Sequence, residues 1–332
     1  MNGWRSVAYV ESPLQLLSAV EAHAHGVLGS NTDIVVRDAN RQYESTVRYV
    51  ERMGLPQGIR LFGARDTRWL PGHTSAQGRF THVLGDPLSG QQQSLLLRRN
   101  YVGNLVIIDD GVSTLSVLED LAANRPLVRP TSASSPARLA LGRAMTHVIR
   151  RRAFAGKVTF FTSLPLSESV LHAAGTLDIS VITHAFPWLS ANILEDAHFP
   201  PQVIVGSAFA ADRYITTDAY VQWIRQIASC GDAVYLPHRR QRPDVLAHIS
   251  EIPSVSVARD LPLAEIALRG LGPEHHVHSL PSTSLLTLHR RFSQRGVQVT
   301  MYDIPDTWWC PSTPADLRTQ LIRPVELLRI AS

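Results

Sequence analysis

The chain has 332 residues, 44% of them hydrophobic and 18% charged, which suits two ordinary folded cores and excludes a disordered polymer. Its pI near 9.3 comes from a formal net charge of only +4, and of the 32 basic residues all but Lys157 are arginine. That balance favours anionic small molecules, whose oxygens match the arginine fork, and no basic stripe interleaved with aromatics points to nucleic acid.

Cys230 and Cys310 have neither metal nor redox spacing, so free thiols in a reducing compartment are expected. No apolar run is long enough to span a bilayer, and the start MNGWRSVAYV lacks the features of a secretory leader, so a cytoplasmic protein is expected.

In chain order, SVAYV (6–10) is followed by a helical PLQLLSAVEAHAHG (13–26), then by TDIVVR (32–37) and QYESTVRYVERMG (42–54). Further strands are expected at 58–63, 81–85, 105–109, 157–161 and 178–182, with helices over STLSVLEDLAA and 134–152. Strands alternating with helices are the signature of βαβ units and a parallel sheet.

The proline pair Pro200 and Pro201 closes this series, and 193–202 is the expected linker. A second series follows, with strands at 202–207, 232–236, SVSVA, HVHSL and VQVTMY and helices between them. Two such series predict two Rossmann-like domains. No GxGxxG, Walker or GxSxG pattern occurs, which disfavours a nicotinamide enzyme, a P-loop ATPase and a serine hydrolase.

Four places can carry chemistry. LVII ends in Asp109, Asp110 and Gly111, where ligands meet the carboxyl ends of parallel strands, although Asp-Gly is also a favoured turn and helix start. VYLPHRRQR puts His238 after a strand and Pro237, with Arg239 and Arg240 behind it; a proton-donating imidazole and a solvated basic loop both fit.

LPSTSLLTLHRRF sets Ser282 and Thr283 at a helix start, which serves equally as a phosphate site or an ordinary cap. Glu265 opens another helix, suited to ribose hydroxyls or to a plain surface position. The cluster Glu274-His275-His276-Val277-His278 reads as a solvated loop rather than a metal site.

Taken together, these pieces resemble the bacterial CMP-sialic acid transferases of glycosyltransferase families 52, 38 and 80. Asp109-Asp110-Gly111 matches their D/E-D/E-G motif, and Ser282-Thr283 matches their serine pair. Ser12, Pro13 and Gln15 match the S/T-P-x-Q signature of families 52 and 38. The His-Pro motif stands here as Pro237-His238-Arg239, with the histidine kept and the following proline replaced.

The resemblance implies an α/β fold of the GT-B type, two Rossmann-like domains facing a central cleft. It implies an N-terminal acceptor domain over 1–195, a CMP-sugar domain over 196–311 and a final helix, 312–332, packing back on the first domain, with Trp308, Trp309 and Cys310 assisting. The implied reaction is inverting transfer of sialic acid or a related nonulosonic acid from a CMP-sugar to a glycan or glycolipid hydroxyl, with no metal or cofactor.

Asp110 is the expected base, with Asp109 orienting it and Gly111 letting the backbone approach. His238 would assist the leaving phosphate and Ser282 and Thr283 hold it. Glu265 would take the ribose, Pro237 the base, and Arg239 or Arg240 an anionic group. A non-catalytic nucleotide-binding protein of the same fold is the alternative. The loop 64–79 suits an acceptor surface, and the basic C-terminal helix either packs on the protein or touches an anionic membrane from the cytoplasmic side.

Overall fold

A computed structural model describes residues 5–37, 41–63, 80–98, 103–129, 135–192, 198–292 and 295–331. The acceptor loop at 64–79 and part of the linker, 193–197, lie outside the described residues. The chain divides into two compact units, Met1–Asn192 and Ile193–Ser332, where the sequence places the boundary after residue 195.

The first unit runs β1 (Arg5–Val10), α1 (Pro13–Ala24), β2 (Asn31–Val36), α2 (Arg41–Arg52), β3 (Ile59–Gly63), β4 (Phe80–Leu84) and α3 (Gly90–Arg98). It continues with β5 (Leu105–Ile108), α4 (Ser113–Ala122), α5 (Pro136–Ala153), β6 (Val158–Thr162), α6 (Glu168–Gly175), β7 (Ser180–Thr183) and α7 (Pro187–Ala191). Its seven strands are parallel in the order β3-β2-β1-β4-β5-β6-β7.

Leu105, Val106, Ile107 and Ile108 are all buried, as expected of a strand flanked by β4 and β6 and covered on both faces. Helix α1 starts where the sequence places it because Ser12 accepts the Gln15 N–H at 3.2 Å and Pro13 occupies the first turn. The short α7 has another cause: Glu21, buried in α1, accepts the N–H groups of Trp188 and Leu189 at 3.0 and 2.9 Å.

The second unit runs β8 (Gln202–Val205), α8 (Thr217–Ala228), β9 (Ala233–Leu236), α9 (Pro243–Ser250), β10 (Val255–Val257) and α10 (Ala264–Ala267). After these come β11 (His276–Ser279), α11 (Thr283–Phe292), β12 (Gln298–Met301) and α12 (Ala315–Ala331). Its five strands are parallel in the order β10-β9-β8-β11-β12.

Its core includes Tyr220, Trp223, Tyr235 and Trp309, and Leu321 and Ile322 of α12 pack against it. Arg318 of α12 lies over the Trp309 ring at 5.4 Å. Helix α12 therefore helps complete the second core. Among the described residues no helix is long and apolar enough to cross a membrane.

Candidate functional site

In the first sheet the strand order turns back between β1 and β4, and the loops leaving adjacent strands part there, at the carboxyl ends. Glu11 and Ser12 leave β1, Gly85 and Asp86 leave β4, and Asp109, Asp110 and Gly111 leave β5. Ser12, Gln15, Asp109, Asp110 and Gly111, all named from sequence, thus meet at one edge. Gly111 has φ +89°, the left-handed turn conformation that glycine adopts freely.

The two aspartates part company at once. Asp109 is fully buried and accepts from the Thr162 hydroxyl at 2.6 Å and from the Ser163 N–H and hydroxyl at 2.6 and 2.9 Å, so it clamps β5 to the end of β6. Asp110 keeps 18% side-chain exposure and faces the edge. It accepts from the Ser12 hydroxyl at 3.0 Å, while its own N–H donates to the Thr114 hydroxyl at 2.9 Å.

Burial, and then the negative charge of Asp86, push the Asp110 carboxyl up to about 7; hydrogen bonds from Gln15 and Ser12 and the charge of Arg129 pull the other way. A carboxylate poised there can accept a proton at neutral pH without being fully neutralised beforehand.

Several members of this edge are absent from the sequence-based assignment. Arg129 reaches Asp86 at 2.5 Å and stands 3.7 Å from Asp110. Arg37 pairs with Glu11 at 2.5 Å. Gln92 accepts the Gly85 and Asp86 N–H groups at 3.0 and 3.1 Å and donates to Glu11 at 3.2 Å. Gln15 accepts the Glu11 N–H at 2.8 Å, and a Cβ on Gly85 would lie 2.4 Å from the Gln15 Oε1, so a larger residue there would displace the Gln15 side chain. Asp86 follows a strand as Asp110 does, and the same rule applied to THVLGDP would have found it.

In the second sheet the order turns back between β8 and β11. Gly206 leaves β8 and donates its N–H to the Leu236 carbonyl at 2.8 Å; a Cβ there would lie 2.7 Å from that oxygen and 2.9 Å from the His238 nitrogen. Glycine thus lets Pro237 and His238, leaving β9, close on the end of β8. Beside it Ser207 is buried against Tyr220, its N–H donating to the Tyr220 hydroxyl at 3.2 Å, a residue for which the sequence offers no signal.

The His238 Nδ1 accepts the Arg240 N–H at 3.2 Å, which leaves its proton on Nε2. Burial first, then the charges of Arg240 and Arg239, lower its pKa to about 4. The free protein therefore carries a neutral imidazole with an Nε2–H donor, flanked by the two arginines that the sequence places behind it. Arg240 pairs with Asp212 at 3.0 Å, and Arg239 is exposed.

The Ser282 hydroxyl accepts the Leu285 N–H at 3.2 Å, so it caps α11, whose first residue is Thr283. Glu265 departs from its expected role. It is fully buried, its Oε1 taking the Thr287 hydroxyl of α11 and its Oε2 without a partner, and burial raises its pKa. It joins α10 to α11 and is closed to a ribose in this state.

The histidine cluster is not a solvated loop. His276 and His278 lie in β11 with ring centroids 3.9 Å apart, and His278 is held between the Tyr302 hydroxyl at 2.9 Å and the Gln202 Oε1 at 2.7 Å. Among the described residues no group of three or more His, Cys, Asp or Glu side chains could hold a metal ion, and Cys230 and Cys310 are free thiols.

No protein-family model matches the chain, and no curated protein does. Among solved structures it is similar to Phytolacca americana UGT2 complexed with UDP-2fluoro-glucose and pterostilbene, at 10% identity and TM-score 0.52, covering 98% of this chain and 84% of that one. It is also similar to a UDP-glucose: anthocyanidin 3-O-glucosyltransferase in complex with UDP, at 9% identity and TM-score 0.48, over 99% and 95% of the two chains.

A third likeness is to the spinosyn forosaminyltransferase SpnP, at 14% identity and TM-score 0.43, over 100% and 93%. With two parallel-sheet α/β units in series and the first likeness spanning nearly the whole chain, the fold is of the GT-B class.

Proposed function

We propose that this protein is a glycosyltransferase that moves a sugar from a nucleotide-activated donor to a hydroxyl acceptor. Its donor is a CMP-linked nonulosonic acid and its acceptor a glycan or glycolipid. The observation that carries the reading is Asp110, a partly exposed carboxyl with a pKa near 7, held by Ser12 at the strand ends and backed by the clamped Asp109. The UDP-2fluoro-glucose and pterostilbene complexed with the similar UGT2, a nucleotide sugar and a hydroxyl-bearing acceptor, support the general class. The CMP donor rests on the motif resemblance.

In this reading Asp110 takes the proton of the acceptor hydroxyl as its oxygen attacks the anomeric carbon and the bond from that carbon to the CMP phosphate oxygen breaks. Configuration inverts in one displacement. The electron pair of the broken bond stays on the phosphate, which the His238 Nε2–H and the start of α11 at Ser282 and Thr283 receive. Backbone groups near Pro237 read the cytosine, and exposed Arg239 takes the sugar carboxylate. This chemistry needs no metal, because CMP leaves with a single phosphate.

The test is a thermal-shift panel of CMP, CDP, UDP and GDP with their sugars, followed by CMP release from CMP-sialic acid in the presence of glycan acceptors. Stabilisation by CMP compounds and acceptor-dependent CMP release are expected. Stabilisation by UDP-sugars alone would move the donor assignment while keeping the class. Binding of CMP with no turnover on any acceptor would make the protein a nucleotide binder of the same fold.

A further inference from the structure

Asp110 does not meet solvent alone. From β1 it is faced by Ser12 and from α1 by Gln15; from the end of β4 by Asp86; from the segment after α4 by Arg129; and from α4 by Thr114. Glu11, whose charge Arg129 also feels, is neutralised by Arg37, and Asp109 on its own strand is turned into the sheet. Asp86 and Arg129 are the two charges that act on the Asp110 carboxyl, the first raising and the second lowering its pKa.

These two are linked to each other before they are linked to Asp110. One Arg129 NH2 group sits 2.5 Å from Asp86 and 3.7 Å from Asp110, the first a direct ion pair and the second a longer contact. Asp86 is in turn fixed, accepting the Leu88 N–H at 2.9 Å on its other oxygen. Arg129 is 47% exposed, so its guanidinium is anchored from one side and free on the other.

We propose that Asp86 and Arg129 are positioning residues for Asp110: Asp86 anchors the guanidinium, and the guanidinium orients the Asp110 carboxyl and sets how readily it takes and holds a proton. A carboxylate beside Asp86 alone would be driven to stay protonated and useless as a base. One beside Arg129 alone would be held ionised and too weak a base. The shared cation between two carboxylates places Asp110 between these limits. The inference rests on the reading of Asp110 as the base, and extends it to the residues that tune it.

Removing either partner moves Asp110 in opposite directions. In Asp86→Asn the negative neighbour is gone and the cation remains, so Asp110 ionises more easily; the asparagine keeps an oxygen for the Leu88 N–H. In Arg129→Gln two carboxylates face each other without the cation, so Asp110 holds its proton to higher pH. Arg129→Lys keeps the charge and is expected to stay near the wild type.

The experiment is a carboxyl carbon NMR titration of aspartate-labelled protein, with Asp110 assigned by the signal lost in Asp110→Asn. It is run beside the pH dependence of kcat/KM for CMP release. Expected are an Asp110 midpoint about one pH unit lower in Asp86→Asn, about one unit higher in Arg129→Gln, and nearly unmoved in Arg129→Lys. The acid limb of kcat/KM should follow.

Midpoints that stay in place in both variants, or move the same way, would overturn the proposal. If no variant and no wild-type protein transfers sugar, the titration still decides this inference while the functional reading falls by itself. If the wild type transfers and the midpoints stay in place, the functional reading stands and this inference falls.

Discussion

The carboxyl edge of the first sheet carries Glu11, Asp86 and Asp110 with Arg37 and Arg129, a charged and internally paired network. The same edge of the second sheet carries a neutral His238 and the capping Ser282. Two sheets built by the same alternation thus end in opposite chemistry. The first edge holds a group ready to receive a proton, and the second holds donors ready to receive an anion. That difference is what divides acceptor activation from donor binding in the proposed reaction.

The sharpest way to break this division is to neutralise the first edge. Asp110→Asn is expected to lower CMP release by about 10²–10⁴-fold, the range for loss of general base help, with CMP affinity unchanged by calorimetry. Asp109→Asn should act on the fold instead: it weakens a buried clamp of three hydrogen bonds, for a loss of roughly 1–3 kcal/mol in denaturant unfolding. If the two phenotypes exchange places, the assignment of the base to Asp110 reverses.

A second break lies in pH. Because folding raises the Asp110 pKa from 3.8 to about 7, the native state binds its proton more tightly than the unfolded chain does. The stability this group adds is complete below pH 3.8 and is lost as pH rises through about 7. Asp110→Asn should therefore be more stable than the wild type at pH 8, by roughly 4 kcal/mol, with the gain fading toward pH 4. Equal stability of the two proteins at both pH values would refute the raised pKa.

On the second edge the sign is opposite. His238 has a pKa near 4 when free, and a bound phosphate would raise it, so CMP binding should take up a proton between about pH 5 and 6. Affinity is then expected to grow severalfold as pH falls through that window, and calorimetry in buffers of differing ionisation heat should lose the proton term in His238→Ala. The smallest effect expected is at Glu265. Buried against Thr287, its substitution by glutamine should leave CMP affinity within about twofold, where a carboxylate on the ribose would cost far more.

Much of this was legible in the sequence because the fold is written in periodicity. Each strand expected from alternation is present, since runs such as LVII are buried on both faces and have no other use. Helices α3, α6 and α7 escaped notice for local reasons: GQQQSLLLR begins with no apolar repeat, ESVLHAAG is short, and PWLSA is a single turn whose cap is Glu21, far away in the chain.

Site residues followed the same logic. Asp110, His238 and Ser282 are singled out by the sequence because each stands two or three residues past a strand end. Arg129 follows none, and its role depends on Asp86 and Asp110 being brought to it by the strand order. Glu265 was misjudged because a helix start seen in sequence does not tell whether α11 will cover it. His276 and His278 carry two readings in the sequence, the strand HVHSL and a solvated loop, and they lie in the strand.

The most direct measurement is the initial rate of CMP release from CMP-sialic acid with a responsive glycan acceptor, compared among wild type, Asp110→Asn and Asp109→Asn at pH 7.5. A wild-type rate that depends on acceptor, a loss of at least about 10²-fold in Asp110→Asn, and substantial activity retained in folded Asp109→Asn are expected. Wild-type rates retained by Asp110→Asn would contradict the assignment of the proton-accepting group to the edge of the first sheet.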